Sequence, residues 1–288
     1  MNTTHMNQVM VSAAAHVISK ADAILIAAGA GMGVDSGLPD FRGDEGFWKA
    51  YPPFREAGLN FMSLANPRLF ETNPDLAWGF YGHRHALYSA TKPHAGYGIL
   101  RRLVDEAPLG GRVMTSNVDG AFFKAGFGES DVVEVHGALS HLQCTKACGV
   151  GLLPAEGLRV DVDHATFRAK GKLPSCPRCG AVLRPNVLMF NDGWWDTSRA
   201  NRQDQGVEEW LRSVTGHNIV VVEIGAGTGI PTIRLMAERM ARRHGGQHIR
   251  INLREAEGEP GTISIAMGAA AALTAIESEI VNQRWQAA

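Results

Sequence analysis

The sequence has little cysteine, no long apolar run and no surplus of either charge. Four cysteines in 288 residues, set as two close pairs, favour metal binding over a disulfide framework. No apolar stretch reaches the roughly 18 residues that a membrane-spanning helix needs, so no membrane partner is expected. The N-terminus lacks a charged segment followed by a cleavable apolar one, which points to a cytoplasmic protein. With 28 Lys and Arg against 29 Asp and Glu, no basic field exists to hold a polyanion, and direct nucleic-acid binding is not expected. What remains is 45% hydrophobic residues and 20% charged ones, the balance of a globular protein with a sizeable core. Residues Met1 to Val9 are polar and read as a loose terminus.

Glycine is abundant at 33 residues, and much of it follows short apolar runs. Apolar residues at helical spacing over Val11 to Lys20 precede the run Ala23 to Ala28, which stops at Gly29-Ala30-Gly31-Met32-Gly33. The same form recurs at Gly111 to Thr115, ending in Ser116-Asn117-Val118-Asp119-Gly120. It recurs again at Ile219 to Ile224, ending in Gly225-Ala226-Gly227, and over His248 to Leu253, around Asn252. Four strand ends bearing Gly, Asn or Asp predict an α/β fold, a Rossmann-like doubly wound parallel sheet with ligands at its carboxyl edge. Residues 10–46, 93–140 and 185–280 are read as this domain. A helical insertion over 47–92 and a zinc-binding insertion over 141–184 are read as a smaller second domain. No internal repeat or low-complexity linker is visible.

Cys144 and Cys148, then Cys176 and Cys179, form a CxxxC and a CxxC pair separated by 27 residues. Two such pairs can close a tetrahedral zinc site with Zn–S bonds of about 2.3 Å. In an irregular insertion the zinc would be structural, folding a segment too small to hold itself. Four unrelated thiols or a redox pair are the alternatives. The run Val221-Val222-Glu223-Ile224 with its glycine turn also reads like the cofactor motif of a methyltransferase. That motif normally opens a sheet, and 59 residues follow Gly229 here, too few for the further strands.

Taken in order, these pieces resemble the sirtuin family over roughly residues 20 to 275. Gly29 through Asp40-Phe41-Arg42 resembles its opening NAD-binding motif, and Thr115-Ser116-Asn117-Val118-Asp119 its second. Val135-His136-Gly137 is similar to the segment bearing its catalytic histidine. The cysteine pairs, Arg184-Pro185-Asn186-Val187 with Phe190, Gly225 and Asn252 follow in the family's order.

The resemblance implies that NAD is consumed as a co-substrate and that one structural zinc is held by the four cysteines. It implies NAD contacts at Gly29, Ala30, Gly31, Asp40, Phe41, Arg42, Ser116, Asn117, Asp119, His136, Gly225, Ala226, Gly227 and Asn252. His136 and Asn117 carry the catalysis, and Val187 and Phe190 meet an acylated lysine of a protein substrate. The implied reaction is protein-lysine deacylation, in which the acyl oxygen attacks the ribose as nicotinamide leaves. His136 then deprotonates a ribose hydroxyl that attacks the imidate, and water releases lysine and O-acyl-ADP-ribose. Tyr81-Gly82-His83-Arg84 resembles the Tyr-x-x-Arg element of members that remove succinyl or malonyl groups. On a helix Tyr81 and Arg84 share a face; an exposed arginine beside a packed tyrosine is the plainer alternative.

The chain departs from the family pattern at Gly33, where Ser is usual, and at Ser116, where Gln is. Gly225-Ala226-Gly227 stands for Gly-Thr-Ser, and Phe190-Asn191-Asp192 for Phe-Gly-Glu. The first cysteine pair is one residue wider than common. Two other functions use the same pocket: protein ADP-ribosyl transfer or NAD hydrolysis, and a non-enzymatic module that senses NAD or ADP-ribose.

Overall fold

The computed structural model describes residues 3–39 and 43–287. Helix α1 (Thr3–Ser19) leads into strand β1 (Ala23–Ala28), and a 3-10 turn (Ala30–Ser36) follows. Five helices come next: α2 (Gly43–Ala50), α3 (Pro52–Glu56), α4 (Phe61–Leu64), α5 (Leu69–Thr72) and α6 (Pro74–Ala90). The chain then runs α7 (Ala95–Glu106), β2 (Gly111–Thr115), α8 (Ala121–Lys124), β3 (Val132–Glu134) and β4 (Gly137–Cys144). Short strands β5 (Leu153–Pro154), β6 (Asp161–Asp163), β7 (Arg168–Lys170) and β8 (Leu183–Val187) lead to α9 (Ser198–Ser213). The last part is β9 (Ile219–Ile224), α10 (Thr232–His244), β10 (Gln247–Ile251), β11 (Ile263–Ile265) and α11 (Ala269–Ala287). Since α1 starts at Thr3, the reading of Met1 to Val9 as loose is corrected for residues 3–9, the first two residues lying outside the described ones. The Asn7 side chain bonds both ways with the backbone of Ala266, which ties that first turn down.

Among the described residues the main sheet has six strands in the order β11-β10-β9-β1-β2-β3, and every pairing is parallel. The chain builds outward from β1 to β2 and β3, then returns to the other side of β1 for β9, β10 and β11. That reversal is the topological switch point of a doubly wound sheet, where a crevice opens at the carboxyl ends of the strands. Strands β1 and β9 are buried along their whole length, which explains their apolar sequences; the one charge, Glu223 in β9, is paired with Arg250. One sheet face packs against α1, α7 and α11, burying Ala14, Ile18, Leu100, Leu273 and Ile276. The other packs against α9 and α10 through Val207, Leu211, Ile233 and Ala237.

The segments between these elements form a second core. Tyr51, Phe54, Trp78 and Tyr81 of the helical stretch pack with Leu142, Phe167 and Leu183 of the cysteine-bearing stretch. Glycine inside α6 permits this contact. A β-carbon on Gly79 would lie 1.9 Å from the Phe167 carbonyl oxygen, and one on Gly82 would lie 2.7 Å from Val160. Each glycine costs helix stability of about 1 kcal/mol, offset here by the close approach of the β6–β7 hairpin. Strands β5, β4 and β8 form a small antiparallel sheet, with β8 at its edge.

Candidate active site

The strand register sets the site. Thr115 and Ile224 both pair with Ala28, Ile251 with Ile224, Ile265 with Ile251, and Glu134 with Thr115. All six strands therefore stop on one row. The residues immediately past it include Gly29, Ser116, Asn117, His136, Gly225 and Asn252, brought together from five separate stretches of sequence. Backbone bonds stitch the row: Gly29 N–H donates to Ile224 O, Ser116 N–H to Ala28 O, and Gly225 N–H to Ile251 O.

The two glycine turns at the switch point touch each other. Gly31 N–H donates to Gly225 O at 2.9 Å. A β-carbon on Gly29 or Gly31 would come within 2.7 Å of the backbone of Ala226 or Gly225. Gly225 itself lies at φ 65°, and a β-carbon there would sit 2.3 Å from Met32 N. The sequence reading assigned these glycines to close approach by a ligand; the structure shows that they also let the two turns pack backbone to backbone. Ala226 is buried, Gly227 half-buried and Ala30 exposed. The buried Asn252 donates its amide to Ala226 O and accepts from Arg254 and Glu255 N–H, fixing the turn after β10.

On the β2 side, Thr115 Oγ1 donates to Ala28 O and accepts from Asn117 N–H, while the Asn117 amide donates to Gly29 O at 3.0 Å. Asn117 thereby bridges the first and second strand ends. Asp119 accepts from Ala121 N–H at 2.8 Å, opening α8. Burial pushes the Asp119 carboxyl up, opposed by that bond and by the charges of Lys124 and Arg84. His136 follows β3 and precedes β4; its carbonyl accepts from Leu188 N–H at 2.9 Å, just beyond β8. Burial holds its imidazole below the ordinary histidine value. Asp40, Phe41 and Arg42 lie outside the described residues.

Tyr81 and Arg84 share the inner face of α6, and Arg84 is only 6% exposed, which removes the exposed-arginine alternative. Tyr81 lies on the second core, its hydroxyl without a hydrogen-bond partner among the described residues. Phe190 packs on Phe61 with ring centroids 6.0 Å apart, and the Arg84 guanidinium lies 5.9 Å from the Phe61 ring. Phe61 thus links the expected peptide-contact residue to the expected acyl-contact residue. No motif singles it out in the sequence. Val187 is buried at the end of β8. A buried ion pair, also missed from sequence, supports this region: Arg184 holds Asp192 through two bonds of 2.7 and 3.0 Å. A second lies behind His136, where Arg199 of α9 pairs with Glu134 at 2.6 Å. Arg184, Asp192 and Glu134 lie in or beside motifs read from the sequence, but which charge each one pairs with is set by the fold alone.

The four cysteine Sγ atoms lie within 4.8 Å of one another. Cys144 approaches Cys179, and Cys148 approaches Cys176, each at 3.5 Å, so the two pairs interleave. Four sulfurs bound at about 2.3 Å would stand roughly 3.8 Å apart in a tetrahedron. The cluster therefore suits one zinc ion with all positions filled by sulfur, a structural site.

A model of the Sir2 family matches residues 29–211. The chain is 33% identical over 168 residues to NAD-dependent protein deacylase 1 of Caldanaerobacter subterraneus subsp. tengcongensis, covering 58% of this chain and 60% of that protein. It is 37% identical over 164 residues to the NAD-dependent protein deacylase of Aeropyrum pernix, covering 57% and 58%. The chain thus spans less than two thirds of the length of these two relatives. The fold is like that of a Sir2 homologue solved as an NAD complex, with a TM-score of 0.70, 22% identity and 93% of each chain covered.

Proposed function

The chain belongs to the Sir2 family, and from that membership we propose that it is an NAD-dependent protein-lysine deacylase. The observation that carries this reading is the single row of strand ends, which gathers the glycine turns, Asn117, His136 and Asn252 around one crevice. Bound NAD would supply the ribose carbon that receives the acyl oxygen as nicotinamide departs.

The chain's own residues divide the remaining tasks. Backbone at Gly29, Ala30 and Gly31, with Gly225, Ala226 and Gly227, would cradle the pyrophosphate and adenosine side. Asn252, rigid through three hydrogen bonds, would take the adenosine ribose. Ser116, Asn117 and Asp119 would line the nicotinamide side, the Asp119 carboxyl accepting from the carboxamide. Asp40, Phe41 and Arg42 would close over the ribose and exclude water. His136, kept neutral by burial, would take a proton from a ribose hydroxyl. The acyl-lysine would enter beside Val187 and Phe190, its peptide pairing as a strand with the Phe190-Asn191-Asp192 segment. Tyr81 and Arg84 would meet an acidic acyl end such as succinyl or malonyl, without excluding acetyl-lysine. Zinc held by Cys144, Cys148, Cys176 and Cys179 would brace the second core. No helix among the described residues is long and apolar enough to cross a membrane.

The test is nicotinamide release from NAD with and without acetyl-lysine and succinyl-lysine peptides. Release that requires an acyl peptide and is lost in His136→Ala supports the deacylase. Release without peptide would instead favour NAD hydrolysis or ADP-ribosyl transfer. NAD binding with no release would leave a sensing module.

A further inference from the structure

Beyond Asn252 the chain runs as an irregular loop, residues 253–262, until β11 begins at Ile263. The start of this loop lies against the glycine turn after β9. Asn252 donates to Ala226 O, and Glu255 Oε1 accepts from Thr228 Oγ1 at 2.7 Å. Two arginines from other elements grip the loop's backbone. Arg234 of α10 donates through Nη1 to Glu255 O at 3.0 Å and through Nη2 to Glu257 O at 2.7 Å. Arg250 of β10 donates to the same Glu257 O at 2.8 Å. Arg250 is itself aimed by carboxylates: buried Glu223 takes two bonds of 2.7 and 2.8 Å, and Glu238 of α10 takes one of 2.7 Å.

The place of Arg234 runs against local preference. It is the third residue of α10, in a first turn that carries no acidic residue. A cation there opposes the positive end of the helix dipole. Its bonds to the loop account for the placement: one planar fork fixes two carbonyls two residues apart, and so fixes the path of the chain beyond Asn252. Hydrogen bonds from a charged donor are among the stronger ones. A loop ordered in advance also loses less freedom when a ligand arrives. The adenosine end of NAD takes no part in bond breaking, so contacts there are alike in the ground and transition states. They act on KM and leave kcat unchanged.

We propose that Arg234 is a positioning residue for NAD, holding the loop that follows Asn252 in the conformation that receives the adenosine end. The inference rests on the NAD-binding part of the proposed function.

The experiment measures the Kd of ADP-ribose by calorimetry, and kcat and the KM for NAD at saturating acyl peptide, for the native protein, Arg234→Met and Arg234→Lys. Thermal melting without ligand reports the folding of each. Arg234→Met is expected to raise the Kd of ADP-ribose and the KM for NAD about tenfold each, with kcat unchanged, as for loss of a hydrogen bond from a charged group. Arg234→Lys keeps the charge and loses the fork, and is expected to fall between the two. The inference is overturned if Arg234→Met binds ADP-ribose as the native protein does, whatever its melting temperature, or if kcat falls while KM holds. It is also overturned if Arg234→Lys has native affinity, and that arm decides alone should Arg234→Met fail to fold. A native protein that binds neither ADP-ribose nor NAD would defeat the NAD reading first, and this inference with it.

Discussion

Asn191 stands where the sirtuin pattern has glycine, and its backbone lies at φ 57°, in the left-handed region. Asparagine is one of the few residues that adopts this conformation readily, so the turn survives the exchange. Asp192, shorter than the usual glutamate, grips Arg184 and also accepts from Met189 and Trp194 N–H. These two departures are thus compensated within a few residues. His136 carries a prediction at this scale. Burial holds its pKa below the ordinary 6.5, so the imidazole stays neutral where a free histidine would already be half protonated. The acid limb of the kcat/KM profile is expected to have its midpoint below 6.5. The same shift bears on stability: the unfolded chain binds this proton more readily, so the contribution is full above 6.5 and is lost as the pH falls below that through the lower folded value. A pH–rate profile beside urea titrations at several pH values checks both signs.

At the scale of elements, α9 grips the strand that leads to His136. Arg199 holds the Glu134 carboxylate, and Gln203, one turn later, accepts from Glu134 N–H at 3.2 Å. Both also reach Glu129. Arg199→Met would leave the Glu134 carboxyl buried without its cation, at a cost of about 3–5 kcal/mol. Urea unfolding is expected to show that loss, with part of it recovered in the double variant Arg199→Met, Glu134→Gln. Not every element was equally legible in the sequence. The runs ending at Gly29, Ser116, Gly225 and Asn252 show plainly, because a buried parallel strand is a block of apolar residues cut off by a turn. Strands β3 and β11 have three residues each, too short for any periodicity to register. The first turns of α1 were hidden by polar residues whose contact, to Ala266, comes from the far end of the chain. The surroundings of Arg84 were hidden similarly, since Phe61 reaches it from another helix.

For the molecule as a whole, the cysteine cluster and the crevice are mechanically linked. Strand β4 begins one residue after His136 and ends at Cys144, and β8, its partner, is followed by the Leu188 N–H that holds His136. A zinc-bound protein is expected to contain one equivalent of metal. Its removal by a chelator should lower the melting temperature and abolish peptide-dependent nicotinamide release together. Metal analysis with melting and activity on the same sample would check this, and activity surviving in the stripped protein would contradict the link. The cysteine spacing made the cluster legible, whereas its connection to the histidine needed the pairing of β4 with β8.

The level row of strand ends has a consequence for how the protein comes into being. Strand β1 lies near the start of the chain, yet its neighbour β9 belongs to the last third, Ala23 pairing with Ile219. Such distant pairings form late, because the loop between them must be closed before any contact rewards it. A nascent chain can already hold β1 beside β2 and β3 while the opposite wall, with Gly225 and Asn252, is still unmade. The crevice therefore arises only when β9 and β10 join the sheet, and their pairing beside β1 is itself the step that creates the site.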